Sequence, residues 1–201
     1  MSEFASAPYT AGQLNAMVKK LVELAGQDGP KKLLSGELVL KAANLLHLVT
    51  TNPVPAVKRF AASDHFKVGT SKKAAVRIGY LGDNFKKHFL AKVEVNVPAT
   101  TLVFSTLTRS SLDAPILAEL GTQAQTTLAS LWECLKAQGH GQPGTLLTDG
   151  RWNIFYISDA NGNPWAVCAS WHVGYGDWRV FAYSVDYPGE WDGGGRVVSR
   201  K

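Results

Sequence analysis

The spacing of apolar and polar positions changes character along the chain. Leu14, Met17, Val18, Leu21, Val22 and Ala25 recur at three- and four-residue intervals, the signature of one helix face. Thr10 and Gln13 have capping-box separation, so a first helix is predicted to open at Thr10 and to stop at Gly26 and Gln27-Asp28-Gly29-Pro30. A second helix is predicted from a Ser35 cap to about Thr50, with Glu37 in its first turn. Its apolar residues, Leu38 to Val49 apart from Lys41, Asn44 and His47, cover nearly the whole circumference, so it reads as a buried helix with His47 as a core histidine. Asn52-Pro53-Val54-Pro55 breaks it, and residues 56–63 fit a short third helix.

The middle of the chain mixes periods. Residues 74–78 read as a strand and residues 83–90 as a short helix with Phe85 and Phe89 one turn apart. Lys92 to Val97 alternates, which predicts a strand with Val93, Val95 and Val97 on one face, and residues 101–107 are another strand. Ser111 or Asp113 opens a helical turn. Residues 122–138 then form a helix with Leu128, Leu131, Trp132 and Leu135 on one side and Gly139 following its end.

Near the C-terminus the period becomes two. Residues 151–158 and 165–173 flank Asn161-Gly162, a strong two-residue hairpin signal. If these two residues form the turn, Trp152 faces Trp171, Ile154 faces Ala169 and Tyr156 faces Val167, all on one side. A second hairpin turns at Gly174-Tyr175-Gly176-Asp177, returning Trp178, Val180 and Ala182 to that side, and residues 196–200 add a last strand. The helix at 122–138 is the expected cover for this face. The same register gathers Arg151, Asn153, Ser170, His172 and Arg179 on the opposite face, a set that can hold an anion by charge-assisted bonds. A solvated patch is the plainer reading of the same residues.

These elements predict an α+β protein: a helical N-terminal part, a mixed middle and a C-terminal antiparallel β-meander covered by a helix. The domain reading is a helical subdomain at 1–65 and an α+β subdomain at 66–201, or one continuous domain, with the loop at 139–144 the best candidate break between subdomains. With 201 residues, 6 Trp, 6 Tyr and 8 Phe, the chain has ample apolar surface for a core. No apolar run reaches membrane-spanning length, the first residues lack a basic segment followed by an apolar stretch, and two cysteines make no disulfide framework. A cytoplasmic protein with no membrane association is the expectation.

Charge adds a second candidate surface. Residues 1–100 hold 14 Lys and Arg against 7 Asp and Glu, whereas residues 101–201 hold 7 against 9. The excess concentrates at 58–92 in Lys58, Arg59, Lys67, Lys72, Lys73, Arg77, Lys86, Lys87 and Lys92. Together with Phe60, Phe66, Tyr80, Phe85 and Phe89 as stacking groups, the first eight of these define a nucleic-acid-binding hypothesis, although phenylalanines at such spacing ordinarily belong to a core.

Catalytic and metal motifs find no support. Asp159, Asn161 and Asn163 resemble half of a calcium loop, but Pro164 stands where its glycine belongs. Gly69-Thr70-Ser71-Lys72-Lys73 is not a full phosphate loop. The histidines lack zinc-binding spacing, and Cys168 and His172 are four strand residues apart, roughly 13 Å, too far to pair as nucleophile and base. His140, between two glycines, lacks a carboxylate near it in sequence. The sequence therefore predicts no cofactor and no metal, and points to non-catalytic binding or interaction with a protein partner or a second copy. Nucleic-acid association through 58–92 is the first alternative. A small-anion binder or enzyme at Arg151, His172 and Arg179 is the second.

Overall fold

The structure, a computed structural model, describes residues 10–38 and 44–201. Its contacts divide the chain into two units, residues 1–43 and 44–201.

In the first unit, helix α1 (Ala11–Ala25) begins as its sequence predicts. Thr10 accepts from the Gln13 amide while the Gln13 side chain accepts from the Thr10 amide, completing the capping box. None of its residues is buried, so the stripe of Leu14, Met17 and Val18 stays open to solvent. Pro30 does more than end this helix: it occupies the first turn of α2 (Gly29–Leu34), where its missing N–H costs nothing. Ser35 is the C-cap of that helix, not the N-cap of another.

The second unit is built on a seven-stranded mixed sheet, with helices on both faces, plus a two-stranded antiparallel sheet. The strands are β1 (Leu46–Val54), β2 (Val57–Ala61), β3 (Ile78–Leu81), β4 (Val93–Val97), β5 (Thr100–Leu107), β6 (Asn153–Ser158), β7 (Pro164–His172), β8 (Asp177–Ser184) and β9 (Arg196–Arg200). The helices are α3 (Ala62–His65), α4 (Asp83–Phe89), α5 (Asp113–Leu120) and α6 (Leu128–Ala137). The large sheet runs β1-β5-β9-β6-β7-β8-β3; β6 with β9 and β3 with β8 are parallel, the other neighbours antiparallel. The protein is thus α+β, and its expected C-terminal meander is the β6-β7-β8 portion of this sheet.

Segments of two predicted helices are strands. Residues 46–50 of the expected second helix lie in β1, which pairs along β5 from Leu46–Leu107 to Val54–Thr100 with a bulge between Leu48 and Thr50. Residues 39–43 of that prediction lie outside the described residues. Val49, Thr50 and Thr51 suit a pleated strand, and pairing with β5 outweighs the local helical pattern. His47 is consequently exposed, not a core residue. Residues 57–61 likewise form β2 against β4, leaving only α3 of the predicted third helix.

Helix α4 appears as expected and buries Phe85 and Phe89. The strand predicted at 74–78 begins only at Ile78. In β4 the expected alternation is reversed: Val93 and Val95 are exposed while Glu94 is buried, and Asn96 adopts a positive φ of 50° before Val97 turns inward. The reason lies at α6. Both carboxylate oxygens of Glu94 accept from its first amides, Leu128 at 3.0 Å and Ala129 at 2.9 Å, and Lys92 lies 3.1 Å from the same carboxylate. With Glu94 turned inward, two helix N-terminal amides that would otherwise lack acceptors are bonded, and the carboxylate is paired with a cation.

The first hairpin turns at the predicted place but with a different register. Asn153 pairs with Ala169 and Ser158 with Pro164, one position away from the two-residue turn. Asp159 to Gly162 closes a turn through the Gly162 amide and the Asp159 carbonyl, and Gly162 takes φ 86°. That is a three-residue loop with a left-handed glycine, whereas the two-residue alternative needs positive φ at Asn161 as well. The Asp159 carboxylate selects it by accepting from the Asn161 and Asn163 amides at 2.8 and 2.9 Å.

A slip of one exchanges the faces of β6. Phe155 and Ile157 join Val167, Ala169, Trp171, Trp178, Val180 and Ala182 in the larger core beneath α4 and α6. Ile154 and Tyr156 instead join Ala166, Cys168 and Val197 in the second core, with Trp152, Phe181 and Tyr183 packed against it. The tryptophan pair across the meander is Trp171–Trp178, with centroids 5.5 Å apart, and not Trp152–Trp171. Helix α6 covers the Trp171 face, as expected, through Leu128, Leu131, Trp132 and Leu135.

Candidate functional site: an aromatic cavity floored by a carboxyl group

The second face of the sheet carries an unusual density of large rings. Alternation along β8 sends Phe181 and Tyr183 to this face, and Trp152 arrives from the residue before β6. The segment between β8 and β9 then folds back over them. It is anchored where Trp191 and Ser111 exchange backbone hydrogen bonds of 2.8 and 3.1 Å. At Gly193 the backbone runs so close to that of Arg109 that a Cβ would lie 3.1 Å from the Arg109 Cα, which favours glycine there.

This return places Trp191 nearly perpendicular to two neighbours, at 75° to Trp152 and 76° to Tyr183, with centroids 6.2 and 5.8 Å away. Tyr187 continues the wall 5.7 Å from Tyr183, and Phe181 backs Trp152 edge-on at 5.5 Å. Between the rings lies a cavity of about 170 Å³ lined by Asp113, Trp152, Tyr183, Tyr187, Gly189, Glu190 and Trp191. An adjoining cavity of about 240 Å³ shares Trp152 and Trp191 and is bordered by Arg151 and Asp192.

Asp113, in the first turn of α5, is the polar centre of the smaller cavity. It is only 2% exposed. Its Oδ1 accepts from the Tyr156 hydroxyl at 2.6 Å and from the Trp191 indole N–H at 2.8 Å. Burial raises its pKa above the usual carboxylate range, with these two hydrogen bonds pulling the other way. The Tyr156 hydroxyl is pushed far up by burial and by the neighbouring carboxylate, so it remains a donor. The Tyr156 hydroxyl and the Trp191 indole therefore fix the orientation of one carboxyl oxygen.

The five residues of the anticipated anion site are distributed differently. Ser170 lies opposite Arg179 and His172 opposite Asp177, so these remain on one face. Arg179 has Asp177 as a neighbour at 3.8 Å and lies over the Tyr175 ring at 5.3 Å, and His172 Nδ1 accepts from the Tyr175 amide. Asn153 is on the other face, fully buried, bonded to the Leu147 backbone and the Ala169 carbonyl. The one-residue register change removes it from the group. Arg151 is exposed beside Asp149 at 3.6 Å and borders the larger cavity.

Of the basic residues at 58–92, Lys58, Arg59, Lys67, Lys72, Lys73, Lys86 and Lys87 are exposed, and Arg77 is half-buried with its Nε donating to the Thr70 carbonyl. Arg59 and Lys86 have acidic neighbours, Asp64 at 3.7 Å and Asp83 at 2.8 Å. Phe60, Phe66, Phe85 and Phe89 are all core residues and offer no face to a base; Tyr80 alone of the five is exposed. Burial also disposes of thiol chemistry, raising Cys134 to about 12 and Cys168 well above its ordinary value. Among the described residues no three His, Cys, Asp or Glu side chains gather as metal donors, and no helix is long and apolar enough to cross a membrane.

Asp113 and Trp191 are 78 positions apart, and Asp113 and Tyr156 are 43 apart. No local spacing announces their meeting; the one available sign is the aromatic content of 181–191 in a stretch otherwise rich in turn residues. Compared with protein-family models, curated proteins and solved structures, the chain matches none.

Proposed function

We propose that this is a non-catalytic binding protein and that its ligand site is the aromatic cavity above Asp113. The observation that carries the reading is the convergence of Trp152, Tyr183, Tyr187 and Trp191 around one buried carboxyl group. Concave sites lined by aromatic rings with a few placed polar groups are where small ligands bind. The volume, about 170 Å³, suits a small molecule or the head of a larger one and falls short of drug-sized ligands, whose pockets start near 300 Å³. Chemistry is disfavoured because Asp113 is engaged with two fixed donors, and the hydroxyl beside it, that of Tyr156, is held protonated. A thermal-shift and tryptophan-fluorescence screen of small cations, anions, sugars and nucleotides tests the reading. A ligand that raises the melting temperature of the protein, and fails to do so in a Tyr187→Leu variant, supports it. Ligands whose effect is untouched by Tyr187→Leu and by Glu190→Gln place binding elsewhere and overturn it.

A further inference from the structure

We infer that the ligand taken by this cavity is a small organic cation bearing a methylated ammonium group. This rests on the cavity being the binding site, and goes further in naming the ligand chemistry. Three observations converge on it. The first is shape: Trp191 stands at 75° to Trp152 and 76° to Tyr183, so the rings make adjacent walls of a box and not one flat platform. A sugar or a base is met best by a ring lying parallel to it; a near-spherical group touched from several sides is met best by rings set at right angles.

The second is charge. The lining contains two carboxyl groups, Asp113 and Glu190, and no Lys, Arg or His. Aromatic faces carry negative potential, so rings and carboxylates act in the same direction and favour a cation. An anion would meet two carboxyl groups and no cationic side chain in this lining. The third is hydrogen bonding. Asp113 Oδ1 is already occupied by Tyr156 and Trp191, so the deepest carboxyl offers a bare ammonium or a polyol one oxygen fewer to bond. A methylated ammonium has no or few N–H donors to satisfy, spreads its charge over its methyl groups, and loses little hydration on entering an apolar box. The small volume admits such a group and excludes large heterocycles.

The test is calorimetric titration of the full chain with tetramethylammonium and choline, against 3,3-dimethyl-1-butanol, the uncharged isostere of choline. The 15N–1H resonance of the Trp191 indole is followed in parallel. Binding of both ammonium compounds at least about tenfold more tightly than the isostere, with a shift of that resonance, is the expected result. Because Trp191 is buried and bonded to Asp113, its removal risks the fold, so the variants are Tyr187→Leu and Glu190→Gln at exposed positions. Each is expected to weaken choline severalfold while leaving the melting temperature of the free protein in place. Equal binding of choline and its isostere, both sensitive to Tyr187→Leu, would overturn the cation assignment and leave the cavity as a ligand site. Absence of any response at the Trp191 indole to any of the three overturns the assignment, and the broader screen then decides the site itself. Binding of a trimethyl-lysine peptide or of phosphatidylcholine vesicles without binding of the free ammonium compounds would overturn the small-ligand form of the inference.

Discussion

Asp113 and Asp159 are both buried aspartates, yet their surroundings displace them in opposite directions. Asp159 accepts from four N–H groups, those of Asn163, Asn161, the Asn163 side chain and the Trp165 indole, and although burial works against ionisation these bonds hold its pKa below the usual value. Asp113 has two donors, the Tyr156 hydroxyl and the Trp191 indole N–H, in a largely apolar enclosure, so burial wins and its pKa is raised. The consequences for stability have opposite sign. For Asp159, the contribution is present above the ordinary aspartate value and fades as pH falls through its depressed pKa. For Asp113, the folded state holds the proton more tightly than the unfolded chain. Its favourable contribution is therefore full below the unfolded pKa and is lost as pH rises through the raised one. An Asp113→Asn variant retains an oxygen acceptor for Tyr156 and Trp191 but does not titrate. Urea denaturation from pH 7 downward to about pH 4, the unperturbed aspartate range, should show the wild type gaining stability relative to this variant. A wild type that instead loses ground on acidification would contradict the assignment of Asp113 as a carboxyl with raised pKa.

At the scale of elements, the N-terminus of α6 shows how one residue couples two layers. Thr127 caps locally by accepting from the Ser130 amide at 3.1 Å, while Glu94 reaches across from β4 to the amides of Leu128 and Ala129. The two acceptors together satisfy three of the amides a helix start leaves open. Removing Glu94 leaves those of Leu128 and Ala129 buried without partners and Lys92 without its carboxylate. Glu94→Ala is expected to cost about 3 kcal/mol in chemical denaturation. Val93→Ala, an equal change of chain position on the exposed side of the same strand, should be nearly neutral. If the two variants proved equally destabilising, the account of why β4 turns its valines outward would fail. The same comparison explains why alternation misleads there: a strand faces inward wherever its best-bonded side chain belongs, and in β4 that is Glu94.

For the whole molecule, residues 44–201 contain both apolar cores, both sheets and the aromatic cavity. A chain beginning at Asn44 should therefore melt within about 2–4 °C of the full protein, the shift that 1 kcal/mol produces at this size, as followed by calorimetry. Loss of cooperative melting in that shorter chain would show that the first 43 residues are needed for folding of the second unit. Legibility in the sequence followed the range of the interactions involved. Helix α1 and its capping box, α4 and the apolar face of α6 depend on neighbours a few positions away and are readable from spacing. Strands β5 and β9, though paired with distant strands, carry enough β-branched and apolar residues to read as extended. The β6–β7 turn was readable as a turn, but its register was settled by the Asp159 carboxylate, and one position exchanges every side chain between faces. That exchange kept Ser170, His172 and Arg179 together and took Asn153 away. The strand at 46–54 could not be seen at all, because only pairing with β5 distinguishes it from an apolar helix. The cavity lay further still from view, since Asp113, Trp152 and the pair Tyr183 and Trp191 come from three separate stretches. By itself, then, the chain determined α1, α4, the apolar face of α6 and the C-terminal strands, and that the protein is α+β. Only the tertiary structure decided register, the inward face of β4 and the site, because each is a choice between locally equivalent arrangements made by contacts between residues distant in sequence.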